Sequence, residues 1–146
     1  MATAIDTQIA HSGITTATDA AREGTRWIRR LAFMNLGLVA IQALSAGFLM
    51  SGYGGAAAIH TGVAQALQLG ALTQAIVAVV QWRRRRTAVW VARDGLGLFV
   101  MVLLQVAVGY SRQYWLHVPL GVGLFGGLIR QALSLNALRS ATAAQS

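Results

Sequence analysis

Two histidines, His60 and His117, lie inside long apolar stretches of the chain, each a few residues after the stretch begins. A neutral imidazole has one free ring nitrogen that can bind a metal. Titratable side chains within a membrane span are costly and mark functional sites by default. Two such rings on facing helices can fill both axial positions of a haem iron. The pattern therefore predicts a site for haem b with His60 and His117 as metal ligands.

The stretches that carry these histidines are long enough to cross a membrane. Of the 146 residues, 55% are hydrophobic and 11% charged, and the mean hydropathy is +0.55, values well outside the range of soluble domains. A span needs about 20 apolar residues, and four runs qualify: about 31–51, 57–82, 88–110 and 115–137. The sequence predicts an all-α membrane protein, an up-down four-helix transmembrane bundle over residues 28–140. We expect residues 1–27 to form a mobile tail or an interfacial helix, and 141–146 a second tail.

The second half of the chain repeats the first at an offset of 57 residues. The matching residues are Gly52-Tyr53 with Gly109-Tyr110, His60 with His117, Leu67 with Leu124, and Gly70 with Gly127. Each half is then one helical hairpin, and the halves are related by a twofold axis along the membrane normal. This relation predicts that the two histidines lie at one depth and face each other.

The placement of the charges predicts the orientation in the membrane. All 12 basic residues are arginines, against four acids, for a formal net charge of +8. They concentrate before span 1, between spans 2 and 3 and after span 4, whereas the opposite side has only Arg112. By the positive-inside rule both termini are cytoplasmic, in a bacterial plasma membrane, and the histidines lie near the extracytoplasmic face. Arginines at span ends rather than on one basic face argue against nucleic acid as a partner.

Four further residues are predicted to contact the cofactor. Ala64 and Gly121 are small and follow the histidines by one turn, and Gln105 lies at nearly the same depth on span 3. Arg112, in an outer loop, can donate to a haem propionate. Other small residues are expected to leave room for the haem plane: Gly52, Gly62, Ala66, Gly109 and Gly123.

A charged pair is predicted deeper in the bundle. Asp94 in span 3 and Arg130 in span 4 both lie roughly 10 Å from the cytoplasmic ends of adjacent helices, at 1.5 Å per residue. Pairing allows both side chains to stay charged in an apolar medium. We interpret the pair as a structural contact, and a proton relay or a quinone site is the alternative.

The segments HTGVAQALQLG and LHVPLGVGLFGGL resemble the histidine-bearing second and fourth helices of one half of a haem A synthase. They are also similar to small four-span bacterial proteins with a histidine near the outer ends of helices 2 and 4. Haem A synthases are considerably longer, many have paired outer cysteines, and a glutamate precedes one histidine by a turn. This chain has Ala56 at that position and no cysteine, which also excludes thiolate metal sites and covalent haem attachment. The resemblance implies a haem-holding bundle and not the oxidation of a haem methyl group.

Three functional hypotheses follow from the sequence. The first is a small b-type cytochrome for electron transfer or haem handling, in contact with the lipid bilayer and with a quinone or a respiratory complex. With both axial positions filled, the iron has no open site, so we expect electron transfer rather than catalysis. The second is a cofactor-free accessory or assembly subunit docked on a larger membrane protein. The third is a small transporter or channel subunit, in which a homo-oligomer forms the pathway.

Overall fold

Four α-helices make up the part of the chain that the computed structural model describes, residues 2–143, with side chains described at 22–138 and 140. They are α1 (Ala2–Met50), α2 (Ala56–Arg83), α3 (Val89–Tyr110) and α4 (Tyr114–Ala143). Each contains a stretch long and apolar enough to cross a membrane: Arg22–Met50, Ala56–Arg83, Val89–Tyr110 and Tyr114–Leu138. The predicted fold class, a four-helix membrane bundle, is confirmed.

The first helix is longer than the span it carries. α1 runs without a break from Ala2 to Met50, so it includes nearly all of the predicted tail at 1–27. The single proline of the chain is Pro119, so no residue in this run lacks the backbone donor that a helix needs. The side chains of residues 1–21 and 141–146 lie outside the described residues. The predictions of a mobile or interfacial N-terminal segment and of a C-terminal tail therefore stay predictions.

The helices pack in a square. α1 and α3 each pack against both α2 and α4, which places α2 diagonally opposite α4. The loops at 51–55 and 111–113 are short, so α1–α2 and α3–α4 are antiparallel hairpins, as the sequence predicts. The first loop turns through Gly52 and Gly55, at φ of 78° and 83°, a backbone conformation that glycine adopts without steric cost.

Polar and apolar layers alternate along the axis of the bundle. One apolar cluster contains residues of all four helices: Val39, Leu67, Ala71, Val102, Leu124 and Leu128. A second cluster lies nearer the loop between α2 and α3, residues 84–88: Ile28, Ala32, Ala78, Val91 and Leu135. On α2 and α4 the inward residues follow each other at intervals of seven, a histidine, a leucine and a glutamine in each helix. Seven residues are close to two helical turns, so each set lies on one face.

The layer between the two apolar clusters is a chain of buried amides. Asn35 Nδ2 donates to Gln74 Oε1 at 2.9 Å, and Gln74 Nε2 donates to Gln131 Oε1 at 2.6 Å. The three residues are 2%, 1% and 0% exposed. Gly70 is required beside this chain, because a Cβ there would overlap Asn35 Oδ1. Hydrogen bonds between amides thus join α1, α2 and α4. Gln74 and Gln131 are 57 residues apart, which is the offset of the sequence repeat.

The predicted charged pair is present between α3 and α4. Arg130 donates to Asp94 Oδ2 at 2.8 Å, and the side chains are 64% and 19% exposed. The pair lies on the outer surface of the helix contact rather than among the amides of the core. This position supports its interpretation as a structural contact between helices.

Candidate functional site

The two span histidines face each other across the axis of the bundle. His60 comes from α2 and His117 from α4, and their ring centroids are 6.4 Å apart at an interplanar angle of 59°. Both side chains are half-buried. Each histidine precedes by seven residues a leucine of the apolar cluster below it: His60 precedes Leu67, and His117 precedes Leu124. The structure confirms the predicted proximity, which follows from the equal positions of the histidines on diagonal helices.

His60 belongs to a closed ring of hydrogen bonds with two residues of α1. Ser45 Oγ donates its single proton to the backbone carbonyl of Gln42 at 2.9 Å. Because that proton is committed, Ser45 Oγ accepts from His60 Nδ1 at 3.1 Å. Gln42 Nε2, a donor only, then donates to His60 Nε2 at 3.1 Å. These contacts assign a neutral ring with its proton on Nδ1 and its lone pair on Nε2.

His117 reaches the same protonation pattern through a different helix. Its Nδ1 lies 2.9 Å from the backbone carbonyl oxygen of Gln105, which can only accept. Nδ1 therefore carries a proton, which in the neutral ring leaves the lone pair on Nε2. In return, Gln105 Nε2 donates to the backbone carbonyl of His117 at 2.8 Å. Gln105 thus fixes both the ring and the backbone of α4 at this depth.

The shared pattern of the two rings has a chemical consequence. Histidines that ligate metals almost always donate the N–H of the other nitrogen to a protein acceptor, which fixes the tautomer and the ring orientation. Here Ser45 holds the Nδ1–H of His60, and the carbonyl of Gln105 holds that of His117. The nitrogen with the lone pair is then Nε2 in both neutral rings, and in His60 this lone pair accepts from Gln42 Nε2.

Two glycines make room for these contacts. A Cβ at Gly109 would lie 2.9 Å from Cε1 of His117, and a Cβ at Gly121 would lie 2.9 Å from Nε2 of Gln105. Both glycines therefore let side chains of the site approach a helix backbone. The small residue predicted at 121 is thus needed for the contact between α3 and α4.

Other small residues do not lie where the sequence analysis expects them. Gly62 follows His60 by two residues, which places it on nearly the opposite face of α2. Gly123 lies six residues after His117 on the outward side of α4, and open space surrounds the Cβ position of both glycines. The expectation that these two line the room for a cofactor is wrong, since the helical rotation carries them outward. Ala64, one turn after His60, is half-buried on its side of α2.

Arg112 lies at the same end of the bundle as the histidines. It is exposed, in the three-residue loop after α3, and its backbone has a φ of 57°. Four aromatic residues are also exposed at this end: Tyr53, Tyr110, Tyr114 and Trp115. This end of the bundle thus offers a cation and several hydroxyl groups near the histidine layer.

One site residue was missed by reasoning from the sequence. Ser45 is 4% exposed and holds the His60 ring, although serine in a membrane helix is common and carries no signal of its own. The available signal is its spacing from Gln42: two polar residues three apart lie on one face of a helix that is otherwise apolar. Gln42 itself lies against Nε2 of His60.

The described residues place no further candidate metal ligand beside the two histidines. Among the residues whose side chains are described, no group of three or more His, Cys, Asp or Glu lies close enough to hold a metal ion. Two buried amide oxygens at this level, Gln42 Oε1 and Gln105 Oε1, have no hydrogen-bond partner in the described part of the chain. The arrangement is a pair of neutral nitrogen donors flanked by polar groups.

Comparisons with protein-family models, with curated proteins and with solved structures found no match for this chain.

Proposed function

We propose that this protein is a small integral-membrane b-type cytochrome that binds one haem b through His60 and His117. The observation that carries the proposal is the matched state of the two rings. Each ring has its Nδ1–H held by a protein acceptor and its lone pair on Nε2, on diagonal helices of a four-helix bundle. This is the arrangement of paired axial histidines.

The number of ligands favours haem over a bare metal ion. Structural zinc sites take four protein ligands and catalytic zinc sites three, whereas a haem already supplies four equatorial nitrogens and needs only two axial ones. The described residues bring together two histidines and no third ligand. Two imidazoles that share one metal at bonds of about 2.0–2.1 Å have ring centroids roughly 6 Å apart. The separation here is 6.4 Å.

The side chains around the two histidine rings are polar, and the one that contacts Nε2 of His60 can be displaced by a cofactor. Gln42 Nε2 occupies the lone pair of His60, so metal binding at His60 exchanges this hydrogen bond for a bond to iron. Glutamine is flexible enough to move away, and its Oε1 has no described partner to hold it. Ala64, Gly121 and Gln105 would flank the haem. Arg112 would donate to a propionate at the exposed end.

The bound haem supplies one-electron transfer. A haem held by both His60 and His117 would have no open position at iron, so the site would favour electron exchange over the binding of dioxygen or a substrate. In the orientation that the arginines predict, with both termini cytoplasmic in a bacterial plasma membrane, the haem would lie near the extracytoplasmic face. A quinol or a respiratory complex is the kind of partner that exchanges electrons with a haem at this depth.

The layered core argues against the transporter or channel alternative. Between the histidine layer and the amide layer, the axis is filled by Val39, Leu67, Val102 and Leu124, which are at most 6% exposed. A pathway for ions or polar substrates needs polar or water-lined surface along its length. An apolar plug between two polar layers does not provide it.

Haem content tests the proposal directly. The protein, expressed with added haem and purified in mild detergent, is expected to contain about one non-covalent b-type haem per chain in the pyridine haemochrome assay, because two axial histidines are in place. His11→Ala, outside the spans, should leave this content unchanged. A folded, helical protein without haem would favour the cofactor-free accessory subunit instead.

Ser45→Ala is expected to weaken haem binding about 10- to 100-fold without unfolding the protein, the usual effect of losing a partner of a metal-bound histidine. The substitution removes the acceptor of the His60 Nδ1–H. The measurement is the rate and extent of haem transfer to excess apomyoglobin.

Ser51→Ala is the matched control for this variant. Ser51 is also near the end of α1, but it donates to the carbonyl of Gly47 and not to a histidine. Equal haem affinity in the two serine variants would show that Ser45 does not position the ligand.

A further inference from the structure

The end of the bundle opposite the histidines carries a dense group of arginines. Eight of them lie in two segments, residues 22–30 of α1 and residues 83–86 after α2, which we call the arginine end. The two segments are adjacent, because a Cβ at Gly24 would overlap the side chain of Gln81. Gly24 and Gln81 each lie within a few residues of arginines in their own segment. The two groups therefore form one surface.

The charges of the arginine end are not neutralised within the described part of the protein. The two segments contain one acid, Glu23. The only ion pair among the described side chains joins Arg130 and Asp94, elsewhere in the bundle. Six of the eight arginines are exposed, and Arg29 and Arg86 are half-exposed. A concentration of uncompensated guanidinium groups at the end of a set of spans is complementary to a layer of anions.

Aromatic side chains place the arginine end at the level of lipid headgroups. Trp27 and Trp82 are 50% and 41% exposed, one on each segment. The guanidinium of Arg30 lies 5.0 Å from the centroid of the Trp27 ring. Tryptophan is enriched where hydrocarbon meets the polar headgroups, and a guanidinium beside it reaches phosphate oxygens while the ring stays in the apolar layer.

We propose that the arginine end binds the headgroups of anionic phospholipids, with the guanidinium groups donating to lipid phosphates. A lipid suits this surface better than a soluble polyanion does, because the arginines adjoin exposed tryptophans and continue directly into the spans. Arginine matches phosphate geometry with paired N–H donors, which gives a stronger contact than a single ammonium. This inference does not depend on haem binding, since it concerns the other end of the bundle.

Quenching of tryptophan fluorescence by brominated lipids tests the proposal. The full chain carries Trp115→Phe, so that the remaining three tryptophans report from near the arginine end. It is reconstituted into phosphatidylcholine vesicles that contain increasing fractions of brominated lipid. Brominated phosphatidylglycerol is expected to quench at lower mole fraction than brominated phosphatidylcholine. The preference should fall about fivefold for each engaged arginine that is removed, as in Arg84→Gln and Arg86→Gln, and should weaken with added salt.

Arg130→Gln combined with Asp94→Asn is the matched control, because it removes an arginine outside the arginine end together with the carboxylate that already neutralises it. Its lipid preference is expected to equal that of the parent protein. Equal quenching by the two lipids, or a preference that is unchanged in Arg84→Gln with Arg86→Gln, would overturn the proposal. Displacement of the brominated anionic lipid by a short RNA at low concentration would also overturn it, and would assign the surface to a soluble polyanion.

Discussion

Replacing either His60 or His117 with glycine is expected to abolish haem retention, and added imidazole is expected to restore it. Removing one axial ring takes away a metal bond and leaves the rest of the bundle intact. Free imidazole can then occupy the space of the lost ring and supply the same nitrogen. The measurement is the haem content of each purified variant before and after incubation with haem and imidazole. We expect the affinity for haem to fall at least about 100-fold. This exceeds the fall expected when a ligating histidine loses only its hydrogen-bond partner.

The restoration by imidazole separates a ligand from a residue that only supports folding. Thr61→Gly and Val118→Gly are matched controls, because each introduces glycine beside a histidine at an exposed helix position. Both variants should retain haem. Their free energy of unfolding should fall only by the ordinary cost of glycine in a helix, about 1 kcal/mol. If imidazole does not restore haem content in either histidine variant although helicity is unchanged, the result would contradict haem ligation by these rings.

Gln74→Leu is expected to lower the free energy of unfolding by about 2 kcal/mol, since a buried polar group left without a partner costs about 1–3 kcal/mol. Gln74 accepts from Asn35 and donates to Gln131. Its loss leaves both neighbours unpaired in the core. The measurement is reversible unfolding by sodium dodecyl sulfate in mixed micelles, followed by circular dichroism.

The amide chain also predicts the result of a double-mutant cycle. Gln131→Leu alone leaves one buried group of Gln74 unpaired, so its effect should be about half that of Gln74→Leu. The two changes together should cost less than their sum, because the bond they share is lost only once. Gln65→Leu, on the exposed face of α2, is the control and should not destabilise. Additive effects of Gln74→Leu and Gln131→Leu would show that the two amides are not coupled.

Much of the fold follows from the sequence because hydropathy and charge alone place the spans. The predicted run at 57–82 is within one residue of α2 at each end, and that at 88–110 within one residue of α3. Span depth and the repeat also predict that His60 and His117 meet and that Asp94 pairs with Arg130, because helices of equal pitch keep equal positions at equal depth.

The partners of the histidines could not be predicted in the same way. Whether Gln42 or Ser45 touches a ring depends on helix rotation and on side-chain rotamers, which a single sequence does not fix. The repeat was misleading here: position 105 is a glutamine, but its counterpart at 48 is a phenylalanine. The two rings therefore reach the same tautomer through different helices, His60 through α1 and His117 through α3. The outward rotation of Gly62 and Gly123 was missed because depth was considered without the helical angle.

The most direct test of the account is the visible absorption spectrum of the purified protein, first oxidised and then reduced with dithionite. Two axial nitrogens on one haem predict a six-coordinate, low-spin b-type spectrum, with narrow bands in the reduced form and no change on adding carbon monoxide, because neither axial position is open. A featureless spectrum from folded protein expressed with haem would contradict the cytochrome proposal. A high-spin spectrum that shifts with carbon monoxide would contradict paired ligation by His60 and His117.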